Sequence, residues 1–392
     1  MANRIVVLGA GAGGTMVANR LDRELAALGD VVVVDRSPTH RYRPAQYLAP
    51  VDVLDIDSHA RDVREYLRDD VRFREATVTG IDPGERTVET TAGTVPYDRL
   101  VVALGHATDD DRASWAPDAP DVYPYYRPAA ARALDAALDD AREGAVDPPV
   151  EVVVTTPPDT VSCGGAPVKT ALLIEDYLTD EGVACEVRLT TPGSAVFGTG
   201  KKRRYERRLR SVIEGRVAHV PEFTVADVAD GVVTAADGRT LSYDLCVPTS
   251  PQRCPAALTE ESPLTGPVEG EAGEYVAVDP ATLRHREFDR VYALGDCTDV
   301  PASKTAAAAR KQAATLADNL TADVADCARE AHYGGFAACP LLTERGKSHP
   351  RDVRLRVGHH AGLLDTARVG GGLHLILRLY WSVWLRGYQL GM

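Results

Sequence analysis

The sequence predicts an α/β fold made of two doubly wound units, the first of them interrupted by the second. Three stretches predict it. "RIVVLGAGAGGTMVANRL" (4–21) reads as an apolar strand, a glycine turn and a helix, and "EVVVTTPPDT" (151–160) opens a second strand and loop ahead of another helix. "FDRVYALGDCTD" (288–299) is a further buried strand that arrives only after the second run is complete. A chain of 392 residues is long for one core, so two domains and an appendage are expected. The expected division gives 1–107 and 251–326 to the split domain, 108–250 to the inserted one and 327–392 to a C-terminal region.

In the first run Gly9, Gly11 and Gly14 match G-x-G-x-x-G between a strand and a helix. The first glycine permits the tight turn, the second lets backbone approach a pyrophosphate, and the third permits close helix–strand packing. The helix start then offers unpaired N–H groups to phosphate. A second strand, "VVVVDRS" (31–37), carries Asp35, 24 residues past Gly11, where an acid accepts hydrogen bonds from a ribose hydroxyl. These features predict a dinucleotide-binding, Rossmann-like unit.

Composition narrows the partners. Hydrophobic content of 44% and charge of 26% describe a globular chain, and a formal charge of −13 argues against a nucleic-acid partner. From residue 345 onward eight Lys and Arg face two Asp, a formal +6, so residues 1–344 carry −19. Such asymmetry suits a surface that meets something anionic. The seven cysteines form no C-x-x-C pair, and no secretory leader precedes the first strand. A metal site is therefore not expected, and a reducing, cytoplasmic compartment is.

"YDRLVVALG" (97–105) and "FDRVYALGDCTD" resemble the second and third signatures of the FAD-containing pyridine-nucleotide-disulfide oxidoreductases, a pair that NAD-only dehydrogenases lack. The resemblance implies FAD, with Asp296 on its ribityl–phosphate part. The implied cofactor contacts are Gly9, Gly11, Gly13, Gly14, Asp35, Arg43, Val78, Ala103, Gly105, Gly295, Asp296 and Lys304. An NADH-using relative would show a second glycine fingerprint after "EVVVTTP". Here "PPDTVSCGGAP" follows, and Pro157 and Pro158 remove N–H donors that a pyrophosphate needs. The inserted domain is thus expected to keep a Rossmann-like shape without an NADH site. Cys163 stands in that loop, with the helix "KTALLIEDYL" and Lys169 close behind, and both favour a thiolate.

At this point the chain resembles the sulfide:quinone oxidoreductases, in particular their two-cysteine, mitochondrial-like branch. "CGGAPVK" (163–169), "GDCTDVPASKTAAAARKQ" (295–312), "YGGFAACPLLTERGK" (333–347) and "LYWSVWLRGYQ" (379–389) carry the resemblance. It implies a redox pair of Cys163 and Cys339, one accepting hydrosulfide as a persulfide and the other passing two electrons to FAD and on to a membrane quinone. Cys297 matches the family motif and reads as packing beside Asp296, while Cys185, Cys246, Cys254 and Cys327 are expected to be inert. Lys304 is expected at a helix entered at Ser303 as N-cap, its ammonium favouring the reduced flavin. The three-cysteine branch carries a further cysteine after the second signature, and "GHATDDDRASWAPDAPDVYPYY" (105–126) has none; its proton-transfer residues do not map either, so the general base stays unassigned.

The last stretch, "GGLHLILRLYWSVWLRGYQLGM" (371–392), is interrupted by Arg378 and Arg386, whereas a transmembrane helix needs ~20 apolar residues. Leucines, arginines, Trp381 and Trp384 suit a helix lying in a membrane interface instead. The expected location is peripheral, on the cytoplasmic face of the cell membrane, with hydrosulfide, a sulfur acceptor, quinone and the bilayer surface as partners and homo-oligomerisation left open. Three rivals remain. A type II NADH:quinone dehydrogenase would need the missing second fingerprint. The flavoprotein subunit of a flavocytochrome c sulfide dehydrogenase would be exported and tailless. A non-enzymatic flavin and disulfide redox sensor would show no quinone reduction on adding sulfide.

Overall fold

The structure is a computed structural model that describes residues 3–344 apart from 26–27, 56, 58, 117, 145–147, 159–160, 198–202, 259–261, 267–273 and 338, together with the strand Arg356–Gly358. Five parallel strands form the first sheet, in the order Val291–Ala293, Arg99–Val102, Asn3–Leu8, Gly29–Asp35 and Arg72–Glu75. Strands buried on both faces read as continuous apolar runs, and Ile5, Val6, Val7 and Leu8 are all wholly buried. Helix α1 (Ala12–Leu25) makes the crossover from the first strand to the second. The strand Val291–Ala293 joins this sheet from far downstream, so the unit is discontinuous as the third signature demanded.

Four parallel strands form the second sheet, in the order Val217–Val220, Cys185–Thr190, Val150–Thr155 and Leu245–Pro248. Around it lie α2 (Ala45–Leu48), α3 (Pro128–Glu143), α4 (Ala166–Asp180) and α5 (Arg203–Ile213). Each sheet has its own apolar core. The α/β class with two Rossmann-like units is therefore borne out.

The chain crosses between the units twice. It leaves through Ala107–Thr108 and returns through Gln252–Arg253, and these two short strands pair antiparallel. Asp109, 2% exposed, clamps the crossing by ion pairs to Arg112 at 2.9 Å and to Arg253 at 3.7 Å. In a doubly wound sheet, ligands collect beyond the carboxyl ends of strands that flank a reversal in strand order. The first sheet reverses between Asn3–Leu8 and Arg99–Val102, where the glycine turn sits. The second reverses between Val150–Thr155 and Leu245–Pro248, where the Cys163 loop sits.

The last long helix, α6 (Ala306–Val324), packs along α1, with Arg20 Nη2 2.9 Å from Asp318 Oδ1. Its N-cap is Thr305, whose hydroxyl accepts from the Ala308 N–H at 3.2 Å. That corrects the expected cap at Ser303. Lys304 reaches back to the preceding turn and holds residues 298–304 as a loop, so the helix begins later. Among the described residues no helix is long and apolar enough to cross a membrane. The expected interfacial tail, 371–392, lies outside them.

Candidate active site

The glycine turn is built for a ligand on one side only. A Cβ on Gly9 would lie 2.4 Å from the Ala103 carbonyl oxygen, and one on Gly14 would lie 1.8 Å from the Gly9 oxygen. At Gly13 it would meet Leu294 at 3.0 Å. At Gly11, Gly105 and Gly295 it would meet nothing within 4 Å. The tight positions close the turn against the helix and the neighbouring strand; the open ones leave backbone exposed to whatever binds. Asp35 accepts the Ala10 N–H at 2.7 Å and the Ser37 N–H at 3.0 Å, which holds its carboxylate beside the turn. Val78 opens the strand Val78–Asp82, half-buried, two residues after Ala76 donates to the Asp35 carbonyl.

Asp296 lies in a single 3-10 turn, Gly295–Cys297, after the strand Val291–Ala293. Gln312 on α6 accepts the Gly295 N–H at 2.8 Å and pins that turn to the helix. The Lys304 ammonium donates to the carbonyls of Asp296 at 2.7 Å and Thr298 at 2.8 Å, and sits 4.3 Å over the Tyr275 ring. Burial lowers its pKa, partly opposed by the Asp296 carboxylate. It is thus a half-buried cation hydrogen-bonded to the turn of the third signature. Cys297 is wholly buried and its thiol is pushed up to about 11 by burial. Burial raises the thiols of Cys185, Cys246 and Cys254 as well, which suits inert packing.

Cys163 is brought to this turn from the other unit. Its N–H donates to the Lys304 carbonyl at 2.6 Å across 141 positions of sequence. Its φ of 52° is left-handed, a conformation that costs a non-glycine residue about 1–3 kcal/mol and collects at functional sites. Helix α4 begins at Ala166, three residues sooner than "KTALLIEDYL" suggests, which puts Lys169 in its first turn. Lys169 is 2% exposed, and its Nζ lies 3.2 Å from Cys163 Sγ and 3.2 Å from the Tyr47 hydroxyl. An ammonium at that range stabilises a thiolate.

Cys339 begins the strand Cys339–Leu341, which pairs with Arg356–Gly358. Its side chain lies outside the described residues. The segments either side of it are informative. Tyr333 and Phe336 pack on the first core, whereas Leu342 is buried in the second, against which Cys163 also packs. Between Tyr333 and Leu342 the chain thus passes from the first core to the second.

Where the two units meet at the Cys163 loop, the resemblance gave Arg43 and Asp296, while sequence reasoning missed Ser162, Gln252, Tyr126 and His106. Arg43 Nη2 donates to the His106 carbonyl at 2.6 Å, Ser162 donates its N–H to Gln252 Oε1 at 2.7 Å, and Ser162 Oγ hydrogen-bonds Asp296 Oδ2. The Tyr126 hydroxyl donates to the Ser162 carbonyl at 2.6 Å. The one available signal was His106, a histidine directly after the second signature. Arg43 Nη1, Gln46 Oε1, His106 Nε2 and Gln252 Nε2 are buried atoms without a hydrogen-bond partner among the described residues. Buried polar groups are ordinarily paired, so these orphaned atoms fit a polar group such as FAD. Among the described residues no His, Cys, Asp and Glu cluster suits a metal ion.

Three buried imidazoles make acid stability measurable. Burial depresses His40, His285 and His106, the last to about 4. An unfolded histidine titrates near 6.5, so unfolding takes up a proton at each site between the folded and unfolded values. Stability should therefore fall as pH drops below about 6.5, by at most about 1.4 kcal/mol per pH unit for each group. Urea melts of His285→Gln between pH 5 and 7 should show a shallower pH slope than wild type. An unchanged slope would remove His285 from this account.

The pyridine nucleotide-disulphide oxidoreductase family matches residues 3–122. The mitochondrial sulfide:quinone oxidoreductase of Dictyostelium discoideum is 30% identical over 356 residues, which cover 88% of this chain and 76% of that protein. The type II NADH:quinone oxidoreductase of Staphylococcus haemolyticus is 32% identical over only 108 residues, 27% of each chain. Among solved structures, the sulfide:quinone oxidoreductase from the hyperthermophilic bacterium Aquifex aeolicus superposes with a TM-score of 0.78 at 16% identity, covering 100% of this chain and 92% of that one.

Proposed function

This chain belongs to the sulfide:quinone oxidoreductase family, and from that premise we propose that it oxidises hydrosulfide through a Cys163–Cys339 disulfide and delivers two electrons, by way of FAD, to a membrane quinone. The observation that carries this reading is the Cys163–Lys169 contact at the second sheet's reversal point, where an NADH-using relative would keep a glycine loop. Residues 1–107 and 251–326 are taken as the FAD-binding domain, 108–250 as the inserted domain and 327–392 as the C-terminal region.

When bound, FAD supplies a two-electron acceptor that can hand the pair to quinone. The chain's own work is at sulfur. Hydrosulfide attacks the disulfide at Cys163; one S–S bond breaks as another forms, leaving a persulfide on Cys163 and a thiolate on Cys339. Lys169 stabilises negative charge on the Cys163 side. Transfer of the outer sulfur to a nucleophilic acceptor leaves a second thiolate, and closing the disulfide again releases the electron pair. Tyr47, Tyr125 and Tyr126 wall the Cys163 side with wholly or nearly buried rings, which excludes water from the exchange.

An anaerobic titration tests the reading. Sulfide should bleach the flavin and NADH should not, because the loop after Val150–Thr155 holds Pro157, Pro158 and a left-handed Cys163 instead of a phosphate cradle. Rapid bleaching by micromolar NADH would overturn it in favour of the type II NADH:quinone reading. For the membrane, the basic, aromatic stretch 371–392 supports a monotopic anchor. Its deletion should release the protein from membranes with FAD retained and quinone reduction slowed. A truncated protein that still pellets with membranes at high salt would refute the anchor.

A further inference from the structure

Resting on the FAD reading above, we infer that Gln252 positions His106 as a hydrogen-bond acceptor, and that His106 Nε2, Gln252 Nε2 and Arg43 Nη1 together hold the hydroxyl-bearing ribityl chain of the flavin. A backbone N–H can only donate, so the Ser162 N–H at 2.7 Å identifies the Gln252 atom it meets as the carbonyl oxygen. The same oxygen lies 3.3 Å from His106 Nδ1, which must then carry the ring proton. His106 Nε2 is left as a bare lone pair, and Gln252 Nε2 as a pair of N–H donors. His106 is 5% exposed and Gln252 2%. One backbone amide thus dictates the tautomer of a histidine 56 positions away.

The ligand that completes this trio must donate to His106 and accept from Gln252 and Arg43. A hydroxyl does both. A fully ionised phosphate only accepts and would face the imidazole lone pair unmatched, and the benzenoid end of a flavin offers neither function. The trio adjoins Asp296 through the Ser162 Oγ–Asp296 Oδ2 bond, and the paired strands Ala107–Thr108 and Gln252–Arg253 fix its two halves beside each other. Burial, the dominant influence, keeps the imidazole neutral despite the Asp296 carboxylate, with Lys304 and Arg43 acting in the same direction as burial. A neutral ring is what an acceptor requires.

The test titrates apoprotein with FAD, 2′-deoxy-FAD and 4′-deoxy-FAD while following flavin fluorescence, for wild type, His106→Phe and Gln252→Leu. Losing one buried hydrogen bond should raise the FAD dissociation constant about tenfold in each variant. Wild type should bind at least one deoxy analogue about tenfold more weakly than FAD, and His106→Phe should lose that discrimination. If His106→Phe does not fold, Gln252→Leu carries the same comparison, since it both frees the ring and deletes the amide donors. Wild-type affinity for FAD in the variants, or discrimination against the analogues that survives in them, would sink this inference alone. Failure of wild-type apoprotein to bind FAD at all would sink the flavin reading with it.

Discussion

Replacing either Cys163 or Cys339 by serine should lower sulfide-dependent quinone reduction by at least about a thousandfold, and the two losses should not add in the double variant, because both sulfurs belong to one exchanging bond. FAD content should stay normal, since the expected flavin contacts lie in the glycine turn and the Asp296 turn, and neither cysteine belongs to them. Cys163 donates its backbone N–H to the Lys304 carbonyl, a contact that serine preserves. The two variants should differ in colour. Long-wavelength absorption from a thiolate stacked on oxidised flavin should survive in Cys163→Ser and vanish in Cys339→Ser, if Cys339 is the thiol beside the ring. The reverse pattern would exchange their roles, and full activity in either variant would end the disulfide mechanism. Cys297→Ser serves as the control: its thiol is wholly buried beside the carbonyls of Val102 and Leu294, so turnover should change little.

Gly14→Ala should abolish FAD binding and destabilise the first unit by several kcal/mol, a cost typical of forcing a methyl into a full site. The new Cβ would stand 1.8 Å from the Gly9 carbonyl, far inside contact distance, and the obstacle is backbone. Helix α1 would have to move off the turn, separating its N-terminal amides from the phosphate position. Gly11→Ala is the informative companion. Its Cβ meets no protein atom within 4 Å, so the apoprotein should melt near the wild-type temperature while FAD affinity falls. A Gly14→Ala protein that binds FAD with wild-type affinity would contradict the close packing on which the turn depends.

The glycine turn was legible because it is local. A strand, three spaced glycines and a helix are contiguous, and each glycine's reason to exist is set within a few residues of itself. The same holds for the Gly295–Cys297 turn and for Lys169, which stands only six residues after Cys163 in the first turn of α4. The cap of α6 was less legible. Ser303 and Thr305 are both sound N-caps by residue type, and the choice fell to Thr305 because the Lys304 ammonium is tied to the carbonyls of Asp296 and Thr298.

What the sequence by itself determined is the class of fold, the discontinuous first unit, the absence of a second glycine fingerprint and the chemistry available at Cys163. Only the tertiary structure decided that the Cys163 N–H would meet the Lys304 carbonyl, and that His106 and Gln252, 146 positions apart, would share a proton arrangement. The physical reason is the double crossing. Two short antiparallel strands bring the ends of a long insertion side by side, and with them polar side chains whose types carry no signal until a buried neighbour fixes which of their atoms donates.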